Sequence, residues 1–232
     1  MIISIQQPEY FPWIGYFDKF SRVDEVIILD NVQFKKRYFE NRNKVRTANG
    51  WCWIRTPVLT KGRYDQRIME VEIDNSLLWQ RKLLATLRQN YANSPKWEGL
   101  GDELCAIIQS SSYAKLADFN ILIIHYLADK LGLARKTHLA SSLETMQTGS
   151  GLILEICRRI GCTTYLSGPD GANYLDEEAF AQQGIEIRYQ NFTHPVYRQH
   201  QGGEFVPAMS ALDMLFNLGT DCTAMFGEQA RP

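Results

Sequence analysis

Cysteine, histidine and long apolar runs are the scarce features of this 232-residue chain, and each scarcity closes off a class of function. The five cysteines (Cys52, Cys105, Cys157, Cys162 and Cys222) are odd in number and share no zinc-type spacing, so they read as reduced, mostly buried thiols. His125, His138, His194 and His200 are scattered, and joining His194 and His200 to Cys222 as a metal site is a forced reading; no metal and no particular cofactor is assigned. No apolar run approaches the roughly 18 residues of a membrane helix. The N-terminus enters a strand without a basic region or small-residue cleavage site, so a cytoplasmic protein without membrane contact is expected. No Gly-x-Gly-x-x-Gly follows the first strand, and there is neither a Walker loop nor a Gly-x-Ser-x-Gly elbow. Dinucleotide, P-loop and hydrolase-elbow readings are therefore poor.

What is present describes one α/β domain over residues 1–232. Apolar runs at 2–5 and 26–30 are strand-like, and the helix between them gives the length of a βαβ crossover, which makes the two strands parallel. Residues 51–57 and 67–73 read as an antiparallel pair joined through Gly62. Helical spacing at 77–91, 98–111 and 116–131, with Ser76 placed to cap the first, makes 76–132 an all-helical insertion or lid whose apolar character offers a homodimer surface. Alternation then resumes: strands at 136–141, 163–166 and 185–190, helices at 151–160 and 177–183. The expected fold is a Rossmann-like, mostly parallel sheet with an antiparallel hairpin and a helical insertion.

The most informative stretch is residues 6–20, beginning Gln6-Gln7-Pro8-Glu9-Tyr10-Phe11-Pro12-Trp13. Two prolines fix φ and push the residues before them out of the helical region, producing a stiff aromatic loop at a strand end. In an open α/β sheet ligands bind beyond the carboxyl ends of the strands. Gln6, Gln7, Tyr10, Trp13 and Tyr16 are accordingly candidate substrate contacts. Gln7-Pro8, Tyr10, Pro12-Trp13 and Gly15-Tyr16-Phe17 resemble the opening motif of the WbqC-like family, bacterial proteins associated with O-antigen and other surface-polysaccharide gene clusters. Leu29-Asp30-Asn31-Val32-Gln33-Phe34 running to Asn41-Arg42-Asn43-Lys44, then Tyr165-Leu166-Ser167-Gly168 with Tyr174-Leu175-Asp176, and Ser210-Ala211-Leu212-Asp213-Met214-Leu215-Phe216-Asn217 resemble it too, in the same order. Many members carry His where this chain has Gln6, so Gln6 is assigned to binding alone.

Charge is uneven. The chain is near neutral overall, yet residues 33–67 hold ten lysines and arginines against Glu40 and Asp65. Guanidinium forks recognise phosphate or carboxylate. Gln33, Arg37, Arg42, Asn43 and Arg46 are thus candidates for an anionic small-molecule substrate, nucleotide-linked or carried on an acyl carrier. Nucleic acid is the weaker partner, since no known binding motif accompanies the basic stretch. Ser167, Gly168, Gly171 and Tyr174 lie after a strand and before a helix, where glycine lets a ligand approach the backbone. Ser210 and Asp213 have the spacing of a helix cap.

The family resemblance implies a surface-polysaccharide setting. Within it the reading is a transferase moving an acyl or aminoacyl group onto an amino sugar or related amine, with Asp30 at the end of the second strand as general base. The alternatives are ATP-dependent adenylyl or nucleotidyl transfer that activates a carboxylate, against which the chain lacks a His-x-Gly-His phosphate signature, and a non-catalytic binder of sugar nucleotides.

Overall fold

The computed structural model describes residues 1–227. β1 (Ile2–Gln6), α1 (Ile14–Ser21) and β2 (Glu25–Ile28) form the expected parallel crossover. A hairpin of β3 (Arg42–Thr47) and β4 (Gly50–Arg55) follows, then helices α2 (Trp79–Tyr91), α3 (Trp97–Gln109) and α4 (Leu116–Lys130). The chain rejoins the sheet in β5 (Lys136–Leu139), and continues through α5 (Gly149–Ile160), β6 (Thr164–Ser167), α6 (Glu177–Gln182), β7 (Glu186–Tyr189) and α7 (Ala211–Leu218).

The five sheet strands are all parallel, in the order β5-β2-β1-β6-β7. The order runs one way from β1 to β5 and the other way from β6 to β7, so it reverses between β1 and β6. Both faces are covered, as in all-parallel sheets generally, with successive apolar strand residues pointing to opposite sides. Ile3, Ile5, Ile27 and Leu29 pack with Leu152, Ile156 and Phe180 of α5 and α6. Val26, Ile28 and Leu166 face a larger cluster built from Phe17 and Phe20 of α1, Phe119 and Ile123 of α4, and Leu212 and Phe216 of α7. Leu84, Leu87, Leu104 and Ile108 of α2 and α3 join that cluster, so the helical middle shares the sheet's core.

Two local expectations are corrected. Residues 51–57 do not pair with 67–73: β4 pairs with β3 through the turn at Ala48 and Asn49, with Gly50 at φ 122°. Thr47-Ala48-Asn49-Gly50 is a tight-turn sequence that closes locally, and local closure precedes a longer connection. Residues 67–73 instead make a short helical turn, Ile68–Glu70, and isolated bridges from Arg67 to Gln33 and from Ile73 to Val58. Ser76 does not cap α2; its amide and hydroxyl bond Asp74.

Ser210 does cap α7, accepting the Leu212 N–H at 3.3 Å. Asp213 does not complete a capping box. It is fully buried, and its carboxylate accepts from the Tyr91 hydroxyl at 3.0 Å, the Tyr197 hydroxyl at 2.7 Å and the Gln199 amide at 2.8 Å. Tyr91 in turn accepts the Arg46 N–H at 2.9 Å, which ties the hairpin to α2 and α7. Asp213→Ala strands three buried donors, and a loss of about 2–4 kcal/mol in urea unfolding is expected; an unchanged midpoint would show that the hairpin holds its place without this network.

Candidate functional site

The loop after β1 is held from three directions. Asn43 of β3 donates its amide to the carbonyls of Tyr10 (3.2 Å) and Phe11 (2.9 Å). Asn120 of α4 donates to the carbonyls of Pro8 (2.8 Å) and Glu40 (2.7 Å). The Ala211 N–H donates to the Pro12 carbonyl at 2.8 Å, and Tyr10 N–H to Phe39 at 2.8 Å. Under these restraints Phe11, fully buried, sits at φ 46°, a left-handed conformation that costs a non-glycine residue about 1–2 kcal/mol. The Trp13 indole lies over the first turn of α1, where a β-carbon on Gly15 would meet it at 2.3 Å. The Tyr16 hydroxyl donates to the Gln7 carbonyl.

A cavity of about 550 Å³ opens between this loop and the one after β6, beyond the carboxyl ends of β1 and β6 where the strand order reverses. This is the crevice that ligands occupy in doubly wound sheets. Its β6 wall is drawn tight: a β-carbon on Gly171 would come within 2.0 Å of Ser167 Oγ. Gln190, after β7, closes the side by donating its amide to the Gly15 carbonyl and to Asp18.

Two charged groups inside the cavity are displaced toward neutrality. Burial pushes the Glu9 carboxyl up to about 7, against the pull of Lys19 and with the help of Glu40. Burial brings the Lys19 ammonium down to about 8, against Glu9 and Asp18. Lys19 Nζ stands on the β6 side, 3.9 Å from where a β-carbon on Gly168 would be. Glu40, wholly buried behind the loop, is itself raised by burial. Two acceptors on the cavity wall, Glu9 Oε2 and Gln6 Oε1, are buried without a hydrogen-bond partner. Unmet buried acceptors cost free energy until a donor arrives. Between pH 7 and 8 the cavity therefore holds a basic carboxylate, a nearby cation and acceptors ready for N–H or O–H donors.

The candidate residues divide by position. Gln6, Gln7, Trp13, Tyr16, Asn43, Ser167, Gly168, Gly171 and Tyr174 line the cavity, although Asn43 spends its amide on the loop backbone. Tyr10 is in the core beside Phe11 and Phe119. Asp30 does not line the cavity: its carboxylate accepts the amide (2.9 Å) and hydroxyl (2.6 Å) of Ser141 after β5. Gln33 bonds Tyr64 and Asp65 on the surface. Arg46 is buried, its guanidinium held by Gln199 and by the carbonyls of Thr47, Gly50 and Gly202. Arg42 lies 4.2 Å over the Trp53 ring, and Arg37 borders a different hollow. Glu9, Lys19, Lys35, Tyr38, Asp170 and Gln190 join the cavity without having been singled out by sequence. Proximity to Pro8 was the one available signal for Glu9, since a carboxylate in an aromatic proline loop is poorly solvated. Among the described residues no cluster of three or more His, Cys, Asp or Glu could hold a metal ion, and no helix is long and apolar enough to cross a membrane.

The model of the WbqC-like protein family matches residues 7–225. The uncharacterized protein Rv1507c of Mycobacterium tuberculosis (strain ATCC 25618 / H37Rv) is 33% identical over 221 residues, covering 94% of each chain. No solved structure matches the chain significantly.

Glu9 also sets a pH dependence of stability. Its folded-state value, about 7, lies above the unfolded 4.5, so the folded protein binds the proton more tightly. The associated stability is complete below 4.5 and is lost as pH rises through 7. Glu9→Gln is expected to match wild type near pH 4 and to exceed it by up to about 3 kcal/mol above pH 7. Urea titrations at several pH values check this, and a constant difference across the range would contradict it.

Proposed function

The chain belongs to the WbqC-like protein family, and on that premise we propose a transferase that joins an acyl or aminoacyl group to an amine in the synthesis of a bacterial surface-polysaccharide precursor. The polysaccharide setting comes from the family resemblance. The reaction class is supported by one observation in the cavity: a carboxylate shifted to about 7 and an ammonium shifted to about 8 share a crevice whose free acceptors suit an amine and sugar hydroxyls.

The chemistry follows from those positions. The acceptor amine binds with its N–H groups toward Glu9 and Gln6, its ring against Trp13 and Tyr16. As its nitrogen attacks the carbonyl carbon of the donor, Glu9 takes the proton that the new C–N bond makes acidic. The oxyanion that forms is stabilised by the Lys19 ammonium beside Gly168. Collapse restores the carbonyl and expels the donor's leaving group, which recovers the proton from Glu9. An ordinary carboxylate would be too weak a base for this step. One raised toward 7 gives a proton-transfer contribution of about 10²–10⁴-fold.

The test is product formation from amino-sugar acceptors with acyl-CoA and aminoacyl donors, read by mass spectrometry. Catalytic efficiency is expected to rise through pH 7 as Glu9 ionises and to fall above 8 as Lys19 loses its charge. Glu9→Gln should lower kcat by about 10²–10⁴-fold and abolish the acid limb, while Lys19→Met abolishes the alkaline limb. Unchanged turnover in Glu9→Gln would remove Glu9 as the base, and pyrophosphate release dependent on ATP would replace acyl transfer with carboxylate activation.

A further inference from the structure

Residues 34–41 border two hollows at once. Lys35, Tyr38 and Phe39 line the cavity, whereas Phe34, Lys36, Arg37 and Asn41 line a groove of about 770 Å³ between the hairpin and α2. The two meet at a cross-strand pair: Lys44 lines the cavity, its partner Trp53 lines the groove, and Lys44 Nζ is 5.6 Å from the Trp53 ring.

The groove's charge is one-sided and uncompensated. Lys36, Arg37, Arg55 and Lys82 line it, and none has a carboxylate within ion-pair distance among the described residues. Asp74 is the one acidic residue on its wall, and it already accepts from the Ser76 amide and hydroxyl. All four side chains are exposed, the Lys36 ammonium lying 5.1 Å over the Tyr64 ring, and they border the same hollow. Arg37 lies in an exposed turn at φ 60°. Trp53 is 36% exposed, with the Arg42 guanidinium over its ring and the Arg42 Nε buried without a hydrogen-bond partner. Alternation along β3 and β4 puts Arg42, Lys44, Trp51, Trp53 and Arg55 on one face of the hairpin, without an acidic residue among them.

We propose that this groove binds a nucleoside diphosphate, the carrier end of a substrate whose reacting end reaches the cavity. The diphosphate takes the Arg37 and Arg55 forks with Lys36 and Lys82, and the base packs against the part of Trp53 that Arg42 leaves uncovered. The link to the reacting end rests on the transferase reading of the cavity; the binding of the diphosphate does not.

Calorimetric titration of the full-length protein with UDP, ADP and GDP, at low and physiological ionic strength, tests it. At least one of the three should bind, and more weakly as salt rises. Arg37→Ala/Arg55→Ala should weaken that binding by about tenfold or more for each fork removed. Lys82→Ala, on α2 and outside the hairpin, should weaken it about tenfold and so separates charge loss from any change in hairpin folding. A wild-type protein that binds none of the three overturns the proposal, even if transfer activity is found. So does binding that survives both variants, or an RNA oligonucleotide bound where the nucleoside diphosphates are not. Binding lost in both variants while every transfer assay stays blank upholds the groove and counts against the transferase reading alone.

Discussion

Two asparagine side chains hold the site in place. Asn43 and Asn120 each donate to two backbone carbonyls of the segments that meet around the first loop. Each such bond contributes about 1 kcal/mol net, enough together to offset the left-handed Phe11 that the loop requires. The two asparagines come from the hairpin and from α4, so the loop's conformation depends on both elements being in place. The strand end, the hairpin and the helical layer are thereby one mechanical unit, and the cavity is its product.

That restraint is also what perturbs Glu9. A carboxylate on a mobile loop would turn outward and titrate normally. Here Pro8 and the Asn120 contact fix the backbone on one side, Asn43 fixes it on the other, and Glu40 is sealed behind it. The desolvation cost is larger than the attraction of Lys19, so the carboxyl rises in spite of a cation sharing its cavity. Lys19 suffers the converse, and the two values approach each other from opposite sides. Groups driven together in this way suit proton transfer near neutrality.

Much of the architecture was legible in the sequence because local signals agreed with the global fold. The β-branched runs of β1, β2 and β6, the prolines after β1 and the apolar periodicity of α2 and α4 each pointed one way. Where the reading went astray, a tertiary contact or a shorter closure had decided the matter. Residues 51–55 found a partner across a two-residue turn rather than beyond Gly62. Asp30 has the strand-end position of a catalytic acid, but Ser141, more than a hundred residues away, takes both its oxygens. Arg46 belongs to the arginine-rich pattern, yet carbonyls of the turn beside it and of Gly202 absorb its donors. Glu9 went unremarked for the opposite reason: nothing in its neighbours along the chain reveals that Lys19 and Glu40 will face it.

The central claim is that Glu9 is a carboxylate poised near neutrality. The most direct test is an NMR titration of the protein with carbon-13 at the glutamate side-chain carboxyls, the Glu9 signal being assigned by its loss in Glu9→Gln. A midpoint near 7 that moves upward in Lys19→Met is the result the account requires. A midpoint at the ordinary value of about 4.3, insensitive to Lys19, would contradict it.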